Sequence, residues 1–216
     1  MTRRAALLAA LLVAARPAGA QQAAVGPQAA LAEYREVAAG LRYRGAGYGG
    51  AASARWRRFS AEASVVRLSL DPAPGGVATR GFTATEVDAR LGYDVADYAS
   101  VEVGILRRTA DPEFDAQSVG AVRLGARSAY ALGPGATVAF RAGYLAASRF
   151  SGGGRAPVAL EFGLLLDVRF WGRVRGAAAY QFQRINRKTN PGGTGEVDAP
   201  IQESLARVGL ALALGR

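Results

Sequence analysis

The chain has 216 residues, a formal net charge of +10, and neither cysteine nor histidine. These absences exclude Ser-His-Asp and Cys-His triads, disulfides, iron–sulfur ligands and zinc sites built on imidazole. Lys188 is the only lysine, so Schiff-base and Walker-type lysine chemistry has almost no material. The length suits one domain. Composition therefore leaves little material for the usual catalytic chemistries, and neither a cofactor nor a metal is expected.

Residues 1–20 have the three-part pattern of a secretory signal peptide. Arg3 and Arg4 form a positive start, residues 5–15 are apolar, and residues 18–20 are the small Ala-Gly-Ala of a cleavage site. The apolar stretch is too short to cross a bilayer as a helix, and no later stretch is long enough either. The sequence thus predicts an exported chain without a helical anchor.

Residues 158–170 alternate strictly between apolar side chains and the rest. The apolar positions are the even ones: Val158, Leu160, Phe162, Leu164, Leu166, Val168 and Phe170. A two-residue period of this kind is typical of a β-strand with one apolar and one polar face. The same period recurs in residues 85–93, 101–105, 122–130, 138–144, 174–183 and 206–214.

The connections between these segments alternate between short and long. Tight turns are expected near Arg57, Ala96, Pro134 and Gly172, which lie 38 to 39 residues apart. Longer polar segments lie between them, at residues 71–79, 109–117, 149–156 and 187–200. Equal hairpins in sequence order indicate an up-and-down sheet, and short turns opposite long loops are typical of bacterial outer-membrane barrels.

The N-terminal part allows two interpretations. One more hairpin fits before Arg57, with strands at residues 33–43 and 46–56, which gives ten strands. Residues 21–32 are then a short periplasmic leader, and the barrel covers residues 33–216. The alternative is a short helix, which leaves eight strands and a periplasmic N-terminal leader. It is favoured by the helical spacing of Leu31, Tyr34, Ala38 and Leu41.

An alternating barrel can be a membrane protein or a soluble, lipocalin-like cup, depending on which face points outward. The apolar faces of the seven clear strands carry no charge, as lipid contact requires. Glycines fall on the charged face, where they would make room for long arginines. An aromatic residue ends the apolar face before each short turn, as in a periplasmic interface belt: Trp56, Tyr93, Tyr130 and Phe170. These features favour the membrane.

The signal peptide, the alternating strands, the turn-and-loop asymmetry and the aromatic belt resemble the small bacterial outer-membrane β-barrel family, of the OmpA-like and OmpW-like kind. The resemblance covers residues 33–216. It implies an all-β, closed, up-and-down antiparallel transmembrane barrel in the bacterial outer membrane. Its implied partners are outer-membrane lipid and the outer-membrane assembly machinery. The chain departs from the family at its last residues, Leu214-Gly215-Arg216, where members usually carry an aromatic insertion signal. The resemblance also implies that enzymes of this barrel class depend on a histidine; because this chain has none, it is expected not to be an enzyme.

The polar face predicts what fills the lumen. An ion-pair network is expected among Glu62, Glu86, Asp88, Arg90, Glu102, Arg123, Arg127, Arg141, Glu161, Asp167, Arg169, Arg175, Glu203 and Arg207. Arginine suits this role because its planar fork binds carboxylates in pairs. In the competing interpretation, Arg123, Arg127 and Arg141 form a basic ladder along a narrow pore.

The preferred function is therefore a largely plugged, salt-bridged barrel with a structural or interaction role through its extracellular loops. A narrow, passive, anion-leaning channel is the first alternative, and a soluble periplasmic lipocalin-like carrier is the second. No nucleic-acid partner is expected, because the arginines alternate into the lumen or lie at the rims. The oligomeric state stays open.

Overall fold

Ten long strands follow one another along the chain in the computed structural model, which describes residues 22–190 and 195–214. They are β1 (Gln22–Glu36), β2 (Leu41–Trp56), β3 (Phe59–Pro72), β4 (Phe82–Ala96), β5 (Ala99–Ala110), β6 (Val119–Gly133), β7 (Ala136–Phe150), β8 (Arg155–Trp171), β9 (Val174–Thr189) and β11 (Ile201–Ala213). Two short elements lie in the connections, a 3₁₀ turn at Pro112–Gln117 and the two-residue strand β10 (Val197–Asp198).

Each long strand pairs antiparallel with its neighbours in sequence, and β1 also pairs with β11. This last pairing closes the sheet into a barrel and removes its free edges. The predicted ten-strand, up-and-down closed barrel is therefore confirmed, and the eight-strand alternative is wrong. The predicted signal peptide lies outside the described residues. No helix in the described part of the chain is long and apolar enough to cross a membrane.

The two ends of the barrel differ in their connections. Two-residue turns at residues 57–58, 97–98, 134–135 and 172–173 form the short-turn end. Arg57 and Gly172 have φ values of 53° and 52° there, as tight hairpin turns require. The loop end is formed by the connections at residues 37–40, 73–81, 111–118 and 151–154 and by the connection between β9 and β11. The predicted asymmetry is thus confirmed, and both ends of the described chain lie at the short-turn end.

The first hairpin differs from its predicted position. Strand β1 begins at Gln22 and pairs with β2 along its whole length, so residues 22–32 are not a leader. The predicted strand at residues 33–43 is interrupted by a turn at residues 37–40, where Gly40 has a φ of 65°. Alanines occupy both faces of β1, which hides its two-residue period. The alternative helix is also wrong.

Glycines on the inward face of β2 allow neighbouring backbone to approach closely. A Cβ atom on Gly45 would lie 1.7 Å from the carbonyl oxygen of Ser69, and one on Gly49 would lie 1.8 Å from that of Val65. No side chain fits at either position, so glycine permits the close approach of the β3 backbone to β2.

Near the loop end, the inward face of the barrel is apolar. We call this cluster the apolar plug, and its main members are Tyr34, Tyr43, Val66, Leu68, Leu70, Phe82, Leu106, Val119, Leu145, Ile185, Ile201 and Leu205. Strand β3 shows the local pattern, since Leu68 and Leu70 are buried while Arg67 and Ser69 are exposed. The sequence predicted an ion-pair network as the filling of the lumen, and it did not reveal this apolar half.

Candidate functional site

The outer surface toward the short-turn end is apolar and has an aromatic rim. Trp56, Tyr93, Tyr130 and Phe170 are all exposed at the short-turn ends of their strands. The ring of Phe59, which the sequence analysis missed, lies 6.0 Å from that of Trp56 and 5.1 Å from that of Tyr93. These contacts join the rings of β2, β3 and β4 along the rim.

A second set of exposed tyrosines lies farther along the strands, at Tyr48, Tyr144 and Tyr180. The strand rise and tilt place it about 16–21 Å above the first rim. Exposed apolar side chains lie between the two sets, among them Leu164, which is 44% exposed. A closed barrel with an outward apolar band between aromatic girdles belongs in a bilayer. The protein is an outer-membrane barrel, as predicted, and the lipocalin-like interpretation is wrong.

The lumen is crossed by a lattice of ion pairs, and its first half joins β4, β6 and β8. Arg123 Nη1 lies 2.8 Å from Asp88 Oδ2 and 3.2 Å from Glu161 Oε2. Arg90 contacts the same two carboxylates, each at 3.2 Å. All four side chains are buried. Since β4 and β8 are not neighbours, the Arg90–Glu161 pair reaches across the lumen.

The second half of the lattice joins β3, β5, β6 and β7. Glu62 accepts from Arg127 at 3.2 Å and from Arg141 at 2.6 Å. Glu102 lies 3.2 Å from Arg141, 3.6 Å from Arg90 and 3.7 Å from Arg127. Arg90 therefore connects the two halves. Because Arg123, Arg127 and Arg141 all have carboxylate partners, they do not form an unpaired basic ladder.

A separate buried pair lies where the polar lumen meets the apolar plug. Arg108 contacts Glu203, and its guanidinium carbon lies 4.8 Å from the centre of the Tyr34 ring. Arg108 lies beyond the predicted strand segment at residues 101–105, because β5 continues to Ala110. Continuing the alternation by three residues would have placed Arg108 on the inward face. Glu86 lies opposite Arg108 in the strand register, and neither of its carboxylate oxygens has a hydrogen-bond partner among the described residues.

The remaining predicted lumen residues lie nearer the short-turn end. Asp167 pairs with Arg175. Arg207 donates to the hydroxyl of Ser64 at 3.0 Å and to the amide oxygen of Gln181 at 2.7 Å. Arg169 is exposed near the turn at residues 172–173. Of the predicted network, only Glu86, Arg169 and Arg207 have no ion-pair partner within the described part of the chain.

Side-chain contacts hold the connections at the loop end. Thr83 donates its backbone N–H and its hydroxyl to Asp111, which lowers the pKa of that carboxyl below its usual value. Phe114 of the 3₁₀ turn stacks on Phe82 of the plug with ring centres 5.1 Å apart. Arg187 donates to the carbonyl oxygens of Gly153 and Ala116 at 2.8 and 3.4 Å, which links two connections.

No protein-family model and no curated protein sequence matches the chain. Among solved structures it is similar to Neisserial surface protein A, with 12% identity, coverage of 88% of this chain and 96% of that one, and a TM-score of 0.43. It is also similar to the translocator domain of the autotransporter NalP from Neisseria meningitidis, with 14% identity, coverage of 97% of this chain and 95% of that one, and a TM-score of 0.45. A third similar structure is the outer membrane protease OmpT from Escherichia coli, with 9% identity, coverage of 89% of this chain and 96% of that one, and a TM-score of 0.49. At these identities and scores, no activity follows from the likeness.

Proposed function

We propose that this protein is a closed outer-membrane barrel with a structural or interaction role through its extracellular loops, and that it is not an enzyme. The observation that supports the proposal is the filling of the lumen at two successive levels. The lattice of Arg90, Arg123 and Arg141 with their carboxylates crosses the middle, and the apolar plug fills the lumen near the loop end.

The plug is the stronger barrier of the two. Apolar constrictions oppose ion passage because an ion entering them loses its hydration without gaining a partner. Tyr34, Tyr43 and Phe82 contact one another with ring centres 4.9 to 6.1 Å apart, and all three are at least 95% buried. An ion would have to displace this packed cluster, so the proposal expects little or no steady current.

The loop end supports an interaction role because its connections are held in fixed positions. The hydrogen bonds of Asp111 and Arg187 and the stacking of Phe114 order these connections before any partner binds. A preorganised surface loses less conformational entropy when it binds. The proposed partners are an extracellular macromolecule at these loops and, during insertion, the outer-membrane assembly machinery.

A narrow anion-leaning channel is the second candidate. It is favoured by the excess of arginine that lines the lumen toward the short-turn end. Conduction would require the apolar plug to open, so the two candidates differ in what they predict for the unmodified protein.

Planar-bilayer recording of the purified barrel separates these candidates. We expect no stable conductance from the unmodified protein. The double variant Tyr34→Ala/Phe82→Ala should produce a current because it removes two of the three contacting aromatic rings of the plug. The double variant Arg123→Ala/Arg141→Ala should stay nearly closed, with any residual leak shifted toward cations because Glu102 and Glu161 lose compensation. Arg107→Ala, at an exposed outward position, is the control.

A large, stable, anion-selective conductance from the unmodified protein would contradict the closed-barrel proposal and support the channel. Heat-modifiable gel migration of each variant checks that the barrel has folded before the recording. The proposed role of the assembly machinery has its own test, since depletion of that machinery should reduce the heat-modifiable form of the unmodified protein in cells.

A further inference from the structure

The short-turn half of the lumen contains a cavity of about 710 Å³. Its wall carries many more arginines than carboxylates. The arginines are Arg55, Arg90, Arg127, Arg141, Arg169, Arg173, Arg175 and Arg207, and the carboxylates are Glu62, Asp88 and Asp167. The ion-pair network predicted from the sequence contains seven carboxylates and seven arginines, but the structure distributes these charges unevenly along the barrel axis.

The three carboxylates of the cavity are already engaged. Glu62 lies between Arg127 and Arg141, and Asp88 lies between Arg90 and Arg123. Asp167 pairs with Arg175 near the short-turn end, so the charge of this carboxylate is balanced by that arginine. These acids therefore cannot neutralise the remaining guanidinium groups of the wall.

Three arginines of the wall have no carboxylate within ion-pair distance anywhere in residues 22–190 and 195–214: Arg169, Arg173 and Arg207. Within those residues, the hydrogen-bond acceptors of Arg207 are the neutral groups of Ser64 and Gln181. Arg173 lies in the turn at residues 172–173, and Arg169 lies near the end of β8 that leads into this turn; both border the cavity. Guanidinium groups stay charged at every physiological pH, so this wall keeps its excess of positive charge.

Another part of the wall, next to β11, leaves room for a ligand. Strands β1 and β2 contribute Ala24, Gly26, Ala51 and Ser53 to it, and none of these side chains is large. The apolar plug closes the lumen above, while the strand ends near Gln22 and Ala213 border the cavity at the short-turn end. In outer-membrane barrels that end faces the periplasm. The cavity is therefore blind on the loop side and borders the periplasm.

We propose that this cavity binds a small periplasmic polyanion that carries at least two phosphate or carboxylate groups. Arginine forks bind both kinds of anion through paired hydrogen bonds, and Arg169, Arg173 and Arg207 are the groups with free capacity. A volume of about 710 Å³ falls in the range of about 300–1,000 Å³ that is usual for small-molecule sites. Binding at this site does not depend on conduction, so its test is independent of the test of the closed-barrel proposal.

Isothermal titration of the detergent-purified barrel with tripolyphosphate, and separately with citrate, tests this site. We expect saturable binding of at least one anion. The triple variant Arg169→Gln/Arg173→Gln/Arg207→Gln should weaken it at least tenfold. The matched control is Arg67→Gln/Arg107→Gln/Arg184→Gln, which removes the same charge from exposed outward positions and should bind as the unmodified protein does.

Absence of saturable binding of both anions would overturn the proposal, as would an equal loss in the two triple variants, since that result indicates general charge attraction. Binding of tripolyphosphate alone assigns phosphate chemistry to the site, and binding of citrate alone assigns carboxylate chemistry. Heat-modifiable migration checks the fold of each variant. If the cavity triple variant does not fold, the single variant Arg173→Gln, at an exposed turn position, should still lower the affinity measurably, and an unchanged affinity would count against the site.

Discussion

The two halves of the barrel use the same backbone pattern with opposite polarity. Toward the short-turn end, charged side chains lie inside and apolar ones lie outside, whereas toward the loop end the plug is inside and polar side chains are outside. Strand β5 contains the change, since Val103 and Ile105 are exposed on the same face as Arg107, while Glu102 and Leu106 lie inward. The surrounding solvent, lipid for one half and water for the other, decides which face is apolar.

This comparison locates the upper edge of the membrane on the strands. The outward apolar side chains stop where the outward arginines begin, at Arg67 on β3, Arg107 on β5 and Arg184 on β9. Beyond that level the barrel has the construction of a soluble β-barrel, with a packed apolar interior that needs no ion pairs. The same kind of substitution should therefore change the free energy of unfolding of the barrel differently in the two halves.

Removal of the Arg108 charge, where the polar lumen meets the apolar plug, should lower the stability of the barrel most. In Arg108→Met, Glu203 stays buried without its partner, and breaking such a pair costs about 3–5 kcal/mol. The neighbouring variant Arg107→Met changes an exposed outward position, where substitutions usually stay within about 0.5 kcal/mol. Denaturant titration of the barrel refolded into lipid vesicles measures both. Equal effects would show that the lumen at Arg108 is wet and that the boundary lies elsewhere.

Outward charge should be costly only in the half that faces lipid. Leu164→Arg should lower stability by about 2–4 kcal/mol if residue 164 sits near mid-bilayer. Leu165→Arg should be milder because that side chain lines the polar cavity, although crowding there will still cost some stability. Ser69→Arg, outward in the loop half, should be nearly neutral. The same vesicle titration compares the three, and a reversed order for residues 164 and 165 would invert the face assignment.

The sequence was sufficient to predict most of the fold. The two-residue period, the 38- to 39-residue spacing of the short turns and the aromatic belt follow from local side-chain chemistry. Strand β1 was misplaced because Ala29 and Leu31 point outward while Ala30 and Ala32 point inward, so its two faces hardly differ in polarity. A two-residue period can be seen in a sequence only when the two faces of the strand differ in polarity, and alanine on both faces provides almost no difference.

The site was less predictable. The Glu62–Arg141 contact joins residues 79 positions apart, and only the closed barrel brings them together across the lumen. The plug was missed for a different reason. Alternation of Leu68 and Leu70 with Arg67 and Ser69 is the same pattern whichever face is outward, so polarity alone could not reveal that the surrounding medium changes along the strand.

The aromatic rim should make a smaller contribution than the buried charges. Trp56→Ala removes the stacking on Phe59 and the contact with the Arg57 guanidinium, whose central carbon lies 5.1 Å from the ring. Aromatic pairs contribute about 0.5–1.5 kcal/mol beyond the area they bury. Tyr98→Ala, at an exposed turn residue, is the control. If both variants lost the same stability in vesicles, the rim would act by lipid contact alone and not through its ring contacts.

The smallest expected effect lies in the loop half, which water surrounds, and it depends on pH. The bonds from Thr83 lower the pKa of Asp111 in the folded state, so this carboxylate stabilises the fold above its unfolded pKa of about 3.9. That contribution should disappear as the pH falls through the lower, folded value. Asp111→Asn should therefore cost about 1 kcal/mol or less at neutral pH, since the partly exposed site is screened by solvent, and nothing in strong acid. Unfolding titrations of both proteins between neutral and acidic pH measure the difference. A difference that grew on acidification would mean that the loop end is held by other contacts and that Asp111 opposes them.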